Sequence, residues 1–343
     1  MWQFKHRMMA RRACVRALSS WPLRVPHTVA LIGAPQQYGQ PQSGVHKGPA
    51  LLRAAGMRQI AAGLRWHVED LGDVDMETTP TSRPARRGRA ARHAATIGAG
   101  SRRLFDACRA AHEDGRFVLT MGGDHSIALG TVAAACAARP DTRVLWVDAH
   151  ADANSPGTSP SGNMHGMPLA FLLGLVEAES LDEDATYFDW LLEKPFLSPE
   201  RLAYVGLRDV DDDERCALRG LAARGTYVSS MHDVDKYGIG RVVDEALAHL
   251  GYDGTDEAPA PLHLSFDVDA CDPLIAPATG TAVRGGLSFR EAHFVCEAAA
   301  MTGALGSLDI VEVNESLSDV RGAEDTVQLA TGLVASALGD RIF

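Results

Sequence analysis

Val144-Leu145-Trp146-Val147-Asp148-Ala149-His150-Ala151-Asp152 is a strand-like apolar run that breaks into an alternation of carboxylate, alanine and imidazole. In extended backbone every second side chain points to the same face, so Asp148, His150 and Asp152 fall together. Open α/β sheets bind ligands outside the carboxyl ends of their strands, which is where this triplet stands. The stretch therefore reads as a buried strand that delivers ligating groups.

Three further segments repeat the arrangement. Gly122-Gly123-Asp124-His125-Ser126 follows the run from Arg116 to Met121, Ser265-Phe266-Asp267-Val268-Asp269 closes the run from Leu262, and Glu312-Val313-Asn314 follows Leu308 to Val311. An Asp pair such as Asp267 and Asp269 is by itself an ordinary solvated turn. Four such endings together are an inventory for metal. A single zinc uses three or four protein ligands, whereas His125, Asp148, His150, Asp152, Asp267 and Asp269 offer more, mostly hard oxygen donors. Two ions sharing carboxylates would use them all. Imidazole mixed with carboxylate suits a borderline divalent ion, with Mn²⁺ first and Co²⁺, Fe²⁺ or Ni²⁺ as substitutes. Four Asp charges against two divalent ions and a bridging hydroxide leave a slightly negative cluster, which favours a cationic substrate.

Eight strand candidates span Thr28 to Gly33, Arg65 to Leu71, Arg116 to Met121, Arg143 to Asp148, Leu202 to Gly206, Thr226 to Met231, Leu262 to Asp267 and Leu305 to Glu312. Ala-rich helical stretches lie between them, among them His93 to Glu113, Ser126 to Ala138 and Val242 to His249, as crossover connections require. Met76 to Arg92, Glu179 to Glu200 and Tyr252 to Pro261 read as surface connections. With 343 residues and 46% hydrophobic content, the chain supports one large α/β domain, expected over residues 28–343 after a basic extension at 1–27.

The motifs resemble those of the ureohydrolases, and within them the arginases. The resemblance runs from Leu31-Ile32-Gly33-Ala34-Pro35 and Gly44-Val45-His46-Lys47-Gly48-Pro49 to Glu312-Val313-Asn314. It implies a three-layer α/β/α fold around an eight-stranded, mostly parallel sheet. It also implies that one ion takes His125, Asp148, Asp152 and Asp267 and the other His150, Asp148, Asp267 and Asp269, with Asp148 and Asp267 bridging. The implied reaction is hydrolysis of L-arginine to L-ornithine and urea by hydroxide that bridges the ions. Asp152 would pass a proton to the leaving amine, His165 would exchange protons with solvent from a pKa near neutrality, and Glu312 would orient the guanidinium.

The loop from Asn154 to Gly166 is similar to the arginase version. By that likeness Asn154, Ser159, Ser161 and Asn163 read the amino acid's α-carboxylate, and Asp209, Asp211 and Glu214 lie on its α-amino side. Another ureohydrolase, acting on agmatine or a guanidino acid, is the neighbouring reading, and a catalytically silent arginase-like protein the one from a different class. Three departures stand out: His46 replaces a usual acidic residue, Ser159 a frequent Thr, and Glu315 a common Pro.

A net charge of −11 argues against nucleic acid despite the run Arg83, Arg86, Arg87, Arg89 and Arg92, and no phosphate-loop, dinucleotide or serine-hydrolase motif occurs. Six scattered cysteines argue for a reducing compartment and against a thiolate site. No apolar run is long enough to span a membrane. Met1 to His27 carries Lys5, Arg7, Arg11, Arg12, Arg16 and Arg24 without an acid, so a cytoplasmic or mitochondrial location is expected rather than secretion. The family likeness further implies a homotrimer or homohexamer.

Overall fold

The structure, a computed structural model, describes residues 28–78, 91–254 and 259–341. The basic extension at 1–27 and most of the arginine run lie outside the described residues. Eight strands form one sheet: β1 (Thr28–Ala34), β2 (His67–Asp73), β3 (Phe117–Gly122), β4 (Arg143–Val147), β5 (Leu202–Leu207), β6 (Tyr227–Ser230), β7 (Leu262–Asp267) and β8 (Leu305–Val311). Their order across the sheet is β2-β1-β3-β8-β7-β4-β5-β6, and every pairing is parallel. All eight expected strands form, within about two residues at each end, and the sheet is wholly rather than mostly parallel.

Parallel strands need crossover connections, and these supply the outer layers. The helices are α1 (Gly48–Ala54), α2 (Met57–Gly63), α3 (Ala94–Glu113), α4 (Ala128–Ala138), α5 (Pro168–Leu172), α6 (Asp189–Leu192), α7 (Asp212–Ala223), α8 (Met231–Tyr237), α9 (Ile239–His249), α10 (Phe289–Met301) and α11 (Val320–Ala337). Strand side chains alternate between two cores. Val29, Leu31, Leu119, Leu145, Val205 and Leu264 pack with α1, α2, α9, α10 and α11. Ala30, Ile32, Val118, Val144, Trp146 and Tyr204 pack with α3, α4, α5 and α7 on the other face. The central strands are covered on both faces, which is why their sequences are near-continuous apolar runs. Fully burying a side chain such as Phe117, Phe171 or Phe266 contributes about 1.5–3 kcal/mol.

One expectation is corrected. Glu179 to Glu200 is not merely a surface connection: it forms a 3₁₀ stretch (Ala178–Tyr187) and α6, and it buries Leu181, Phe188, Leu191 and Leu197. Phe188 packs on Phe171 with ring centroids 4.8 Å apart, and Trp190 packs on Phe105 at 4.9 Å. The abundant charge of the segment hides apolar residues spaced to meet α3 and α5. Met76, at the start of another expected surface connection, is also buried.

Cys108, Cys136, Cys271 and Cys296 are buried free thiols and Cys216 is an exposed one. Among the described residues no helix is long and apolar enough to cross a membrane.

The carboxyl ends of β1, β3 and β8 are joined at Gly123. Its N–H donates to the Ala34 carbonyl (2.8 Å), its carbonyl accepts from Glu312 N (2.9 Å), and the next residue, Asp124, donates its N–H to the Gln36 carbonyl (3.0 Å). A Cβ at 123 would collide with the Gln36 carbonyl oxygen and lie 2.8 Å from the Gln36 nitrogen. Because the obstacle is backbone, Gly123→Ala is expected to destabilise the protein by roughly 2–4 kcal/mol, lowering Tm in a thermal melt. A variant melting with the wild type would contradict this account of the junction.

Candidate metal centre

The strand order sets β3, β8, β7 and β4 side by side, so four motifs scattered from residue 122 to residue 314 meet at one edge of the sheet. Two groups of potential ligands result, His125 with Asp148 and Asp267, and His150 with Asp148 and Asp269, each with its ligand atoms within 4.8 Å of one another. Asp148 belongs to both. Asp152 joins the first group, its Oδ2 lying 3.2 Å from His125 Nδ1.

Three of the carboxylates are braced by protein donors. Asp148 accepts from His150 N (2.7 Å) on Oδ1 and from Trp146 Nε1 (3.1 Å) on Oδ2. Asp267 accepts from Asp269 N (2.7 Å) on Oδ1, leaving Oδ2 turned to His125. Asp269 accepts from Ala149 N (3.2 Å) and from the Thr281 hydroxyl (2.7 Å). The chain bends to make this fit: Asp152 and Glu312 occupy left-handed backbone with φ of 48° and 66°, a conformation that costs of order 1–3 kcal/mol in non-glycine residues.

His125 gives the clearest indication of a cation. Its Nε2 meets Ser265 Oγ at 2.8 Å and its ring stacks on Trp146 with centroids 4.1 Å apart. Its Nδ1 stands 3.0, 3.2 and 3.3 Å from oxygens of Asp148, Asp152 and Asp267, yet this buried nitrogen forms an aligned hydrogen bond with none of them. A lone pair aimed among three carboxylates suits a shared metal ion, and the mixed imidazole and carboxylate donors fit a borderline divalent one.

The electrostatics agree. Burial, then the charges of Asp269 and Asp148, push Asp267 well above the usual carboxylate range, and burial with Asp148 pushes Asp152 up to about 6. Burial works in the same direction on Asp148, but the adjoining imidazoles of His125 and His150 outweigh it and hold its carboxyl below the ordinary range. Burial would lower His125, and the carboxylates of Asp148, Asp152 and Asp267 close around its Nδ1 reverse this, raising it well above its ordinary value. Four carboxylates so close cannot all ionise without positive charge among them.

Beside the ligands, Glu312 is fully buried and accepts from His125 N (3.0 Å) and Gln40 Nε2 (2.7 Å), while His165 Nδ1 lies 3.2 Å from its Oε1. Burial would lower His165, yet the hydrogen bond and charge of Glu312 raise it to about 9. No sequence signal announces a carboxylate so distant in the chain. Asp124, also buried, accepts from Gly39 N (2.8 Å) and is pushed up to about 6 by burial and Glu312.

The expected substrate residues divide. Asn154 is buried and engaged on both sides, donating to Asp211 Oδ2 (2.8 Å) and accepting from Thr158 Oγ1 (3.0 Å). Asp211 also caps α7 through Glu214 N (2.8 Å), and Glu214 accepts from Ala153 N (3.0 Å). Burial, then Asp152, push Glu214 up to about 8. Ser159 is buried and accepts from Gly162 N (3.0 Å), whereas Ser161 Oγ accepts from Asn163 N (3.2 Å). Asp209, 65% exposed, faces His150 at 3.8 Å. Of the departures, Glu315 forms an exposed ion pair with Lys47 at 3.0 Å.

Sequence reasoning missed Gln40, Ser265, Thr281 and Arg208. Arg208 lies against the loop that carries Asp269 and forms no ion pair among the described residues; it donates to the carbonyls of Asp269 (2.6 Å), Ala270 (3.1 Å) and Val283 (2.7 Å). Position alone was the available signal for Ser265, two residues before Asp267 and on the same strand face.

Residues 27–339 match the Arginase family. The chain is 43% identical over 321 residues to an arginase of Glaciozyma antarctica, covering 93% of this chain and 90% of that one. Among solved structures it is similar to an arginase from Bacillus caldovelox, with TM-score 0.81, 34% identity and coverage of 92% and 99% of the two chains. It is also similar to Entamoeba histolytica arginase in complex with L-ornithine, with TM-score 0.78, 28% identity and coverage of 92% and 100%.

Divalent ions held by these residues should stabilise the native state. Binding at about a hundredfold above Kd contributes about 2.7 kcal/mol per site, so chelation should lower Tm by several degrees and Mn²⁺ should restore it. Asp148→Asn should lose most of that shift, because both ligand groups share Asp148. Identical melting curves for chelated and Mn²⁺-loaded wild type would contradict a metal centre.

Proposed function

The chain belongs to the arginase family, and we propose that it hydrolyses L-arginine to L-ornithine and urea with two Mn²⁺ ions as resident cofactor. The single observation that carries this reading is the pair of ligand groups sharing Asp148, with the orphaned Nδ1 of His125 aimed into one of them. The relatives named arginase and the Entamoeba histolytica complex with L-ornithine support the choice of substrate.

His125, Asp148, Asp152 and Asp267 would hold one ion, and His150, Asp148, Asp267 and Asp269 the other. Bound there, the ions supply a water of lowered pKa and positive charge against which a developing anion is stabilised. The protein residues do the rest. Glu312 receives the guanidinium by charge-assisted hydrogen bonds, its carboxylate already fixed by His125 N, His165 and Gln40. Asp152 carries a proton to the leaving amine. His165, partly exposed beside Glu312, exchanges protons with solvent. Ser159, Ser161 and Asn163 with Asn154 serve the α-carboxylate end of the substrate, and Asp209, Asp211 and Glu214 the α-amino end. Assembly as a homotrimer or homohexamer, in cytoplasm or mitochondrion, completes the proposal.

The test is urea release from a panel of guanidino compounds by the Mn²⁺-loaded protein. A hydrogen bond to a charged group is worth about 1.5–3 kcal/mol, so a substrate lacking the carboxylate should lose roughly tenfold or more in kcat/KM for each such contact. Arginine should be cleaved far faster than agmatine, and Asn163→Ala should narrow that ratio by weakening arginine turnover while metal content stays unchanged. Comparable kcat/KM for the two compounds would overturn the substrate assignment and leave a two-metal amidinohydrolase.

A further inference from the structure

The reading above gives the guanidinium to Glu312, and the carboxylate needs a fixed orientation to receive it. Resting on that reading, we propose that Gln40, on the loop after β1, is a positioning residue that sets the rotation of the Glu312 carboxylate and thereby the alignment of the substrate's guanidinium.

Gln40 is 6% exposed and donates from Nε2 to Glu312 Oε2 at 2.7 Å, across 272 residues of sequence. The other oxygen, Oε1, has His125 N at 3.0 Å and His165 Nδ1 at 3.2 Å. Gln40 thus makes the one hydrogen bond found to Oε2 among the described residues, and without it one arm of the carboxylate is free to turn. The amide cannot be flipped, since its carbonyl oxygen would then face a carboxylate with no proton between them. In the orientation that serves Glu312, the Gln40 Oε1 is buried and has no hydrogen-bond partner among the described residues. The donor end of the amide is the one directed at Glu312.

The surroundings hold the amide there. Gly39 donates its N–H to Asp124 Oδ2 (2.8 Å) and its carbonyl accepts from His165 N (3.1 Å), so the backbone leading into Gln40 is tied to the loops carrying His125 and His165. On the other side stands Gly280, where a Cβ would lie 2.8 Å from Gln40 Oε1 and 3.2 Å from Nε2. Gly280 precedes Thr281, whose hydroxyl braces Asp269. The three atoms nearest such a Cβ all belong to the Gln40 amide, the movable end of a flexible side chain, and the backbone at Gly280 is not left-handed. Gly280→Ala is therefore a way to displace that amide without altering Gln40 or Glu312.

The experiment compares Mn²⁺-loaded wild type with Gln40→Met, Gly280→Ala and the double variant. Gln40→Met keeps the length of the side chain and removes its donor. It should retain the wild-type Mn²⁺ content and Tm and inhibition by ornithine within about twofold, since ornithine has no guanidinium. Its kcat/KM on arginine should fall roughly ten- to a hundredfold, mostly in kcat. Gly280→Ala should show a smaller loss of the same kind, and the double variant should be no worse than Gln40→Met, because both changes break one contact. Undiminished kcat/KM in Gln40→Met, ornithine inhibition weakened as much as turnover, or losses that multiply in the double variant would each overturn the proposal. The ratio of variant to wild type is read on whichever guanidino compound the wild type cleaves, with the corresponding amine as inhibitor. Failure on arginine therefore defeats the substrate reading and leaves this one to its own outcome.

Discussion

Mutual repulsion among buried carboxylates is the constraint on which the rest of the structure depends. Asp148, Asp152, Asp267 and Asp269 are all buried, and their oxygens converge on His125 and His150. Charge removed from water costs several kcal/mol per ion unless it is paired and hydrogen-bonded. The protein meets part of that cost with backbone N–H groups, the Trp146 indole and the Thr281 hydroxyl, and burial with like charge still drives Asp152 and Asp267 upward. Divalent cations, as proposed, would supply the counter-charge this arrangement lacks.

Topology makes the convergence possible. β3 and β4 are consecutive in the chain, but β8 and β7 lie between them in the sheet, so candidate ligands from three motifs, and Glu312 from the fourth, stand on neighbouring strand ends. Two apolar layers grip the sheet and hold those ends in register. Below the ligands one face is polar as well: His263 on β7 contacts Ser307 (2.8 Å) and Asp309 (3.1 Å) on β8, and Thr131 of α4 donates to Asp309. At the junction of β1, β3 and β8, Gly123 provides the close backbone approach that sets Asp124 and Glu312 around His125. Stability and function therefore share residues at this edge.

Much of this was legible in the chain because its signals are local. Apolar runs ending in Asp or His, such as Val144 to Asp148 and Leu262 to Asp267, mark both a strand and its ligand-bearing end. The candidate ligands are chemically conspicuous. Their neutral supports are not: Gln40, Ser265 and Thr281 are common polar residues whose roles come from partners distant in sequence. Arg208 resembles any surface arginine until its carbonyl partners are seen. The raised pKa of His165 likewise arises from Glu312, 147 residues away. The segment from Glu179 to Glu200 misleads because charged residues outnumber the apolar ones that α3 and α5 bury.

The most direct test of a centre built by shared carboxylates is a crystal structure of the Mn²⁺-loaded protein, with the metals located by their anomalous scattering. The account predicts two peaks in each chain, one among His125, Asp148, Asp152 and Asp267 and the other among His150, Asp148, Asp267 and Asp269. A single peak at full loading, or manganese bound elsewhere while His125 Nδ1 takes an ordinary hydrogen bond, would contradict it.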